Sequence, residues 1–387
     1  MAKNKKKRQQ EKRLNTFQKF LERLVEMVGI SLFREMERTF VQRPTTFRVN
    51  TLKATKQEVR QELDRLGFKT KNVIWYSDAF ILQNKTKREL TETELYTSGK
   101  IYIQSLASMA PPIILEPKPG DKVLDLTAAP GSKTSQIAMM MGVPVESCPG
   151  MITPKGELVA NDSNKVRFFK LKHNVEALGV ADVSLDSEYS EPDLEPKKST
   201  PHVLWVKDEE VDQKSDVKKK KKVKEGKKGE WTFTLRLEHG VKLCEEFPEY
   251  FDKILLDAPC SAEARFIDGE PKTTGYWKEQ KVKEMAYKQR QLLFAAWTAL
   301  KPGGTLVYST CTFSPEENEM QISKLIERYK DEVTLIDTSI TGLKRLPSLL
   351  KWREKEFDKE VKKTFRIFPT TEIEGFFVAK LVKNKRD

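Results

Sequence analysis

The chain has 387 residues, enough for two domains and a sizeable core, and its 38% hydrophobic and 33% charged residues are typical of a soluble globular protein. Its net charge is +13, but residues 1–13 hold seven Lys or Arg against one Glu, and residues 207–230 hold ten Lys against seven acids. Because these two segments carry most of the excess, the composition is weak evidence for a basic face that binds nucleic acid.

The cysteines and the apolar pattern exclude several classes of protein. The four cysteines have no C-x-x-C spacing and only three histidines occur, so we predict neither a zinc site nor a disulfide framework. No apolar stretch follows the basic start, and no run is long enough to cross a bilayer. We therefore expect no membrane association and a cytoplasmic protein, or a nuclear one if the source has a nucleus. The lysine clusters are either nuclear-import signals or solvated tails.

The first hundred residues predict a small module that precedes the main domain. Residues 1–13 are expected to form a disordered basic tail. Apolar side chains between Phe17 and Phe40 then recur at helical spacing, which predicts one or two amphipathic helices. We assign residues 14–103 to a helical and α+β module. Its further predicted elements are a strand at Thr45–Leu52, a helix at Lys56–Leu66, and short strands at Val73–Tyr76 and Ala79–Leu82.

Two polar residues of the first predicted strand, Arg48 and Asn50, lie on the same face of it. They either contact a phosphate or a base, or they form the solvent side of an ordinary strand.

From residue 104 onward, strands and helices alternate. This alternation is typical of an α/β domain with a doubly wound, mainly parallel sheet, which we assign to residues 104–387. The pattern is lost near residues 187–230, where a lysine-rich stretch predicts a disordered insertion, and a shorter insertion is predicted at 143–152. The predicted helices are Ser105–Leu115, Lys165–Leu178 and Lys281–Leu300, and the predicted strands are Lys122–Leu126, Glu157–Asp162, Thr232–Leu237, Lys253–Leu256, Thr305–Tyr308, Phe365–Pro369 and Gly375–Leu381.

The turn after the first strand of this domain predicts a nucleotide-binding site, because the turn and the following helix offer free backbone N–H groups. A P-loop is excluded, since Lys133 stands in the wrong register, and no dinucleotide fingerprint is present. A turn that binds S-adenosylmethionine remains. The ribose of that molecule needs an acid at the end of the next strand, where Asp162 stands. Asp162 could instead, or in addition, cap the helix that follows.

Two cysteines follow buried-looking strands. Cys260 comes after Lys253–Leu256, and Cys311 comes after the last strand of the parallel set. The carboxyl ends of such strands are where ligands bind, so both thiols are candidates for chemistry. Equally, both could be small core residues, since free cysteine is often buried. Ser314 and Glu317 have capping-box spacing with Pro315 between them, which predicts a helix that begins beside Cys311.

Several motifs occur together in a characteristic order. With them, the chain resembles the Sun/Fmu family of RNA (cytosine-5) methyltransferases over roughly residues 44–382. The motifs are Arg48-Val49-Asn50-Thr51, Ala128-Ala129-Pro130-Gly131-Ser132-Lys133-Thr134, Asp257-Ala258-Pro259-Cys260-Ser261, Lys301-Pro302-Gly303-Gly304, and Ser309-Thr310-Cys311 followed by Pro315-Glu316-Glu317-Asn318-Glu319.

The resemblance implies a Rossmann-like methyltransferase fold, S-adenosylmethionine as cofactor, and tRNA or rRNA as substrate for a monomer. It implies that Cys311 is the nucleophile, that Cys260 assists release of the methylated RNA, and that Asp257 contacts the pyrimidine edge near the methyl donor. It also implies that the N-terminal module binds RNA. The residues expected to bind the cofactor are Thr127, Ala128, Ala129, Pro130, Gly131, Ser132, Lys133, Asp162, Arg167, Glu238 and Asp257.

The chain departs from the family pattern at three places. Glu238 or His239 would have to replace an acid that meets the adenine, and Ala262-Glu263-Ala264-Arg265 replaces a glycine-containing loop. Thr371–Phe377 keeps Gly-Phe-Phe but has Glu where His and Asp are usual. Two other functions stay open: a DNA cytosine-5 methyltransferase, which uses the Pro-Cys thiol as nucleophile, and a non-catalytic RNA-binding or ribosome-assembly factor.

Overall fold

A computed structural model describes residues 2–181 and 230–385. The predicted disordered insertion near residues 187–230 lies outside the described residues, except for Glu230. Among the described residues, no helix is both long enough and apolar enough to cross a bilayer.

The chain begins with one long helix, α1, over Ala2–Met36, which bends at Gly29, where φ is 77°. The helix includes residues 2–13, which the sequence predicts as a disordered tail. The apolar face of α1 packs on the main domain rather than on the small module. Phe20 contacts Phe266 and Phe313, with ring centroids 4.9 and 6.5 Å apart. The predicted module 14–103 is therefore divided between two cores.

The remainder of that module is a four-stranded antiparallel sheet in the order β2-β3-β1-β4, which has its own apolar core. The predicted strand at Val73–Tyr76 is wrong: this segment turns, and the strand lies just before it. The elements are β1 Thr46–Val49, α2 Lys56–Arg65, β2 Thr70–Asn72, β3 Ala79–Leu82, α3 Lys87–Thr91, α4 Glu94–Thr97 and β4 Ile101–Ile103.

The main domain is built on a nine-stranded sheet in the order β13-β16-β17-β11-β10-β5-β8-β9, with β12 paired to β17. Its helices are α5 Leu106–Leu115, α6 Ser132–Met140, α7 Lys165–Ala177, α8 Gly240–Glu246, α9 Pro271–Thr274, α10 Glu279–Ala299 and α11 Glu319–Tyr329. Its strands, with those of a hairpin and a short ribbon, are β5 Lys122–Asp125, β6 Gly142–Pro144, β7 Ile152–Pro154, β8 Gly156–Asn161, β9 Trp231–Arg236, β10 Phe251–Asp257, β11 Leu300–Thr310, β12 Val333–Ile336, β13 Arg345–Leu346, β14 Lys351–Trp352, β15 Lys355–Glu356, β16 Phe365–Ile367 and β17 Phe376–Lys383.

Strands β11, β10, β5, β8 and β9 are parallel, and β17 is antiparallel to β11. This arrangement confirms the predicted Rossmann-like, doubly wound sheet. From β5 the chain first adds β8 and β9 on one side and then β10 and β11 on the other. The strand order thus reverses between β5 and β10, and such a switch point opens a ligand crevice at the carboxyl ends of the strands. The short predicted insertion forms the β6–β7 hairpin.

Candidate active site

The turn between β5 and α6 is fixed by bonds to the neighbouring strands. Ala128 donates its N–H to Asn161 O at 2.7 Å, and Thr127 Oγ1 donates to Asp257 O at 2.9 Å. Gly131 has φ 101°, and a Cβ there would lie 3.1 Å from Leu171 Cδ1. Glycine therefore suits both the backbone conformation and the close approach of α7.

Two cavities adjoin this turn and share Thr127 and Arg167 in their walls. The larger, of about 620 Å³, has a wall that includes Asp162, His239 and Pro259. The smaller, of about 450 Å³, is lined by residues that include Ser108, Ala128, Ala129, Pro130, Ser132, Lys133, Asp257 and Arg265. We call the first the donor cavity and the second the base cleft.

Asp162 lies in the donor cavity with 3% of its surface exposed. Its Oδ1 accepts the N–H of Asn164 at 2.9 Å, and its Oδ2 lies 3.3 Å from Arg167 Nη2. Arg167 also donates to Ala129 O, so it braces the turn against Asp162. The alternative role of Asp162 as helix cap is wrong, because Asn164 caps α7 by accepting the N–H of Arg167.

His239, rather than Glu238, lies in the wall of the donor cavity. The backbone of Glu238 is bonded to the Asn161 side chain, and its carboxylate accepts the N–H of His239 at 2.5 Å. Of the two residues, it is therefore His239 that the structure places in the wall of this cavity.

Asp257 closes the base cleft at the end of β10, and both of its carboxylate oxygens are held. Lys133 Nζ donates to Oδ2 at 2.6 Å, and Ser309 Oγ donates to Oδ1 at 2.9 Å. Lys133 is itself buried and donates to Ser108 Oγ at 2.8 Å. The family resemblance implies that Lys133 binds the cofactor. In the structure, the contacts of Lys133 fix the orientation of Asp257.

The two predicted thiols lie together, with the Sγ atoms of Cys260 and Cys311 3.3 Å apart. Cys311 is 8% exposed. The hydrogen bond from Cys260 lowers the pKa of the Cys311 thiol, as does the charge of Arg265, although burial opposes both. The same hydrogen bond and burial raise the pKa of Cys260 well above its usual range. Arg265 interacts more strongly with Cys311 than with Cys260, so its charge favours ionisation of Cys311.

Two buried carboxylates, Glu263 and Glu317, connect the loops that follow these cysteines, a role that the sequence did not predict for either of them. Glu263 accepts from Thr312 Oγ1 and from the N–H groups of Phe313 and Ser314, at 2.7 to 3.0 Å. Glu317, which follows Cys311, binds the loop of Cys260 in return. It accepts from the N–H and hydroxyl of Ser261 and from Gln289, and burial raises its pKa to about 8.

These contacts overturn the predicted helix start beside Cys311. The helix begins at Glu319, and residues 315–318 form a turn. Ser314 Oγ donates to Glu263, and the Glu317 carboxylate is bound to the other cysteine loop, so no capping box forms. A helix N-terminus is thus not what lowers the pKa of Cys311.

Comparison with known proteins identifies the family. A family model described as 16S rRNA methyltransferase RsmB/F matches residues 112–200 and 215–382, which is more than half of the chain. The chain belongs to the RsmB/F methyltransferase family. A second model, the N-terminal domain of 16S rRNA methyltransferase RsmF, matches residues 17–106.

Relatives of the RsmB/F chain cover most of its length. It is 29% identical over 342 residues to a tRNA (cytosine(49)-C(5))-methyltransferase of Pyrococcus abyssi, with 87% of this chain and 88% of that one aligned. It is 32% identical over 345 residues to ribosomal RNA small subunit methyltransferase F of Aliivibrio fischeri, where 88% of this chain aligns with only 58% of the relative. A solved methyltransferase homologue from Pyrococcus horikoshii superposes with a TM-score of 0.68 at 29% identity, covering 96% of this chain and 98% of the other.

These findings confirm four predictions: the family, the Rossmann-like fold, the enzyme class and, through the family, the cofactor. The chain is an S-adenosylmethionine-dependent methyltransferase of the RsmB/F type.

Two residues of the N-terminal motif have a structural role in this RsmB/F enzyme. Arg48 is fully buried and donates to Gln104 Oε1 at 2.9 Å and to Ser135 Oγ at 2.6 Å. Asn50, equally buried, donates to Gly99 O and Leu178 O at 2.8 Å. Both alternatives considered from the sequence, a contact with nucleic acid and a solvent-facing strand, are therefore wrong. The residues dock the small module on α6 and α7.

Proposed function

We propose that this protein transfers a methyl group from S-adenosylmethionine to carbon 5 of a cytosine in RNA, with Cys311 as the nucleophile. The observation that carries the proposal is the pair of thiols 3.3 Å apart at the end of the parallel strands, with opposite pKa shifts. Asp257 stands at the same edge of the sheet, because Ser309, two residues before Cys311, donates to its carboxylate.

The donor cavity suits S-adenosylmethionine, which supplies an electrophilic methyl group when bound. Asp162 Oδ2 is buried in that cavity and accepts no hydrogen bond within the described residues, so it offers an acceptor to the ribose hydroxyls. The turn from Thr127 to Lys133 offers backbone groups at the start of α6 for the methionine part. Because Thr127 and Arg167 border both cavities, the donor and the target base would meet at this turn.

Carbon 5 of cytosine is too weak a nucleophile to take a methyl group directly. Addition of the Cys311 thiolate to carbon 6 would form a carbon–sulfur bond and move the electron pair of the 5,6 double bond to carbon 5. Carbon 5 would then bond to the methyl carbon as the bond of that carbon to the sulfonium sulfur breaks, with S-adenosylhomocysteine as the leaving group. Transfer of the carbon 5 proton to water would return the electron pair to the ring and expel the Cys311 sulfur as a thiolate. Asp257, held by Lys133 and Ser309, would bind the amino edge of the base. Cys260, whose pKa is raised, would assist product release in its protonated form.

The pKa directions also weigh against the DNA cytosine-5 alternative. That mechanism would use Cys260 as the nucleophile, yet its hydrogen bond and burial raise its pKa. Retention of both thiols and of a donor cavity is not expected of a non-catalytic factor.

The RNA substrate is proposed at the level of tRNA or rRNA, since the relatives named above act on one or the other. The chain spans most of the archaeal tRNA relative but 56% to 63% of the bacterial rRNA relatives. We further propose that the N-terminal module contributes to RNA binding and that the protein acts as a cytoplasmic monomer.

The test uses two single substitutions in the full chain. Cys311→Ala should abolish transfer of a radioactive methyl group to RNA from cells that lack the gene. Cys260→Ala should leave RNA covalently attached, visible as a shifted band on a denaturing gel. Full activity of Cys311→Ala, or a trapped complex with Cys311→Ala instead of Cys260→Ala, would refute the assignment.

A further inference from the structure

The segment that follows Cys260 is tied to the loop of the nucleophile. Glu263–Arg265 form a 3-10 helix, in which the N–H of Ala264 donates to Cys311 O at 3.2 Å. Glu263, the first residue of this short helix, is fully buried, and its carboxylate accepts hydrogen bonds from Phe313 and Ser314, which follow Cys311. The backbone of Arg265 is therefore held in a fixed position relative to Cys311.

Arg265 projects an unpaired charge into the base cleft. Its side chain is exposed and lines the cleft beside Lys133 and Asp257. The other two cations of the cleft wall have carboxylate partners, since Lys133 pairs with Asp257 at 2.6 Å and Arg167 with Asp162 at 3.3 Å. Arg265 has no ion-pair or hydrogen-bond partner for its guanidinium within the part of the chain that the structure describes. Its charge acts at a distance on Cys311, but its N–H groups are not bound and can donate to an anion from outside.

An exposed aromatic ring lies next to this charge. Tyr276 is 51% exposed, and its ring packs edge-on against Phe266, the neighbour of Arg265, with centroids 6.2 Å apart. Phe266 is buried under α1, so it gives Tyr276 a rigid support. A guanidinium for phosphate and an aromatic ring for an unpaired base are the two groups with which proteins bind single-stranded RNA.

We propose that Arg265 binds a backbone phosphate beside the target cytidine and that Tyr276 stacks on a neighbouring unpaired base. The inference rests on the proposed function, because it concerns how the protein binds the RNA strand that carries the target cytosine into the base cleft. A base must leave its stack to be modified by such an enzyme, and contacts to its flanking nucleotides hold the opened strand in place. Arg265 lies in the stretch that departs from the family pattern, so this contact would be particular to this chain and close relatives.

The experiment measures methyl transfer to RNA from cells lacking the gene, and binding of a labelled single-stranded, cytidine-rich RNA of about 12 nucleotides. The variants are Arg265→Gln, Arg265→Lys, Tyr276→Ala and Tyr276→Phe. Arg328→Gln is the matched control, because Arg328 is exposed near the end of α11, which runs away from the carboxyl edge of the sheet.

Arg265→Gln should raise KM about tenfold and should reduce the salt dependence of binding by about one phosphate contact. Its pH optimum should also move upward, because the charge of Arg265 lowers the pKa of the Cys311 thiol. Tyr276→Ala should weaken binding roughly 5- to 150-fold, the range expected for one lost base stack. Lysine at 265 and phenylalanine at 276 should restore most of the affinity, and Arg328→Gln should match wild type.

Wild-type KM, affinity and salt dependence in Arg265→Gln and Tyr276→Ala would overturn the inference. So would an Arg265→Gln variant whose KM is unchanged but whose pH optimum moves upward, since Arg265 would then act on the Cys311 thiol alone. If the wild-type protein methylated no RNA, the proposed function would fail, while the binding comparison with Arg328→Gln would still decide whether this surface binds RNA.

Discussion

Replacing Glu263 with glutamine tests whether this carboxylate holds the loop that carries Cys311. Oε2 accepts from Thr312 Oγ1 and from the N–H groups of Phe313 and Ser314, and Oε1 accepts from Trp277 Nε1 and Ser314 Oγ. An amide has only one oxygen, so in either orientation its NH₂ group faces a donor that cannot rotate away.

The less costly orientation of the amide turns the NH₂ toward Trp277. One buried indole N–H then loses its acceptor, at about 1–3 kcal/mol, and the other bonds weaken because the acceptor is no longer charged. The neutral amide avoids the desolvation penalty of a buried charge, which offsets part of this loss of stability. We expect Glu263→Gln to reduce the free energy of unfolding by about 2–4 kcal/mol.

Urea unfolding of the full chain measures this loss as a shift of the midpoint at constant slope. Methyl transfer should fall as well, because Phe313 and Ser314 lie two and three residues after Cys311 in the same loop. Glu327→Gln, at an exposed position of α11, serves as the control. A Glu263→Gln protein within about 0.5 kcal/mol of wild type would refute the reasoning, since surface substitutions show that range.

Two further predictions concern the titration of buried groups. Because the hydrogen bond from Cys260 lowers the pKa of Cys311, Cys260→Ala should move the alkylation of Cys311 by iodoacetamide to higher pH, as followed by mass spectrometry of its peptide. Cys148→Ala, at an exposed thiol, should leave the profile unchanged, and an identical profile in Cys260→Ala would contradict the assignment. Burial raises the pKa of Asp125 from 3.8 to about 7, so its contribution to stability is complete below about pH 4 and is lost as pH rises through 7. Asp125→Asn should therefore lose less stability than wild type between about pH 5 and pH 8 in urea unfolding, whereas exposed Asp64→Asn should follow wild type.

The alternation of strands and helices was sufficient to predict the parallel sheet, and the two thiols that follow its strands do lie together. Binding of the cofactor by the turn after β5 stays a prediction. Arg48 and Asn50 show where that reasoning ends. Polar and apolar side chains alternate along this segment, as in a strand with one face in solvent. All four residues of β1 are nevertheless buried, because the module packs against α6 and α7. Contacts between segments of the chain, not the local pattern, determine which face of a strand meets solvent.

The start of α11 shows the same limit more sharply. Ser314, Pro315 and Glu317 satisfy every local rule for a helix start, yet the helix begins later because Ser314 and Glu317 bind groups about 50 residues away. The exchange is reciprocal, since Glu263 of the Cys260 loop holds the Cys311 loop and Glu317 of the Cys311 loop holds the Cys260 loop. Each thiol is thus positioned by the segment that carries the other. A substitution in either loop should disturb both the first and the last step of the proposed reaction, so the roles of the two cysteines are best separated by changes confined to the sulfur atoms themselves.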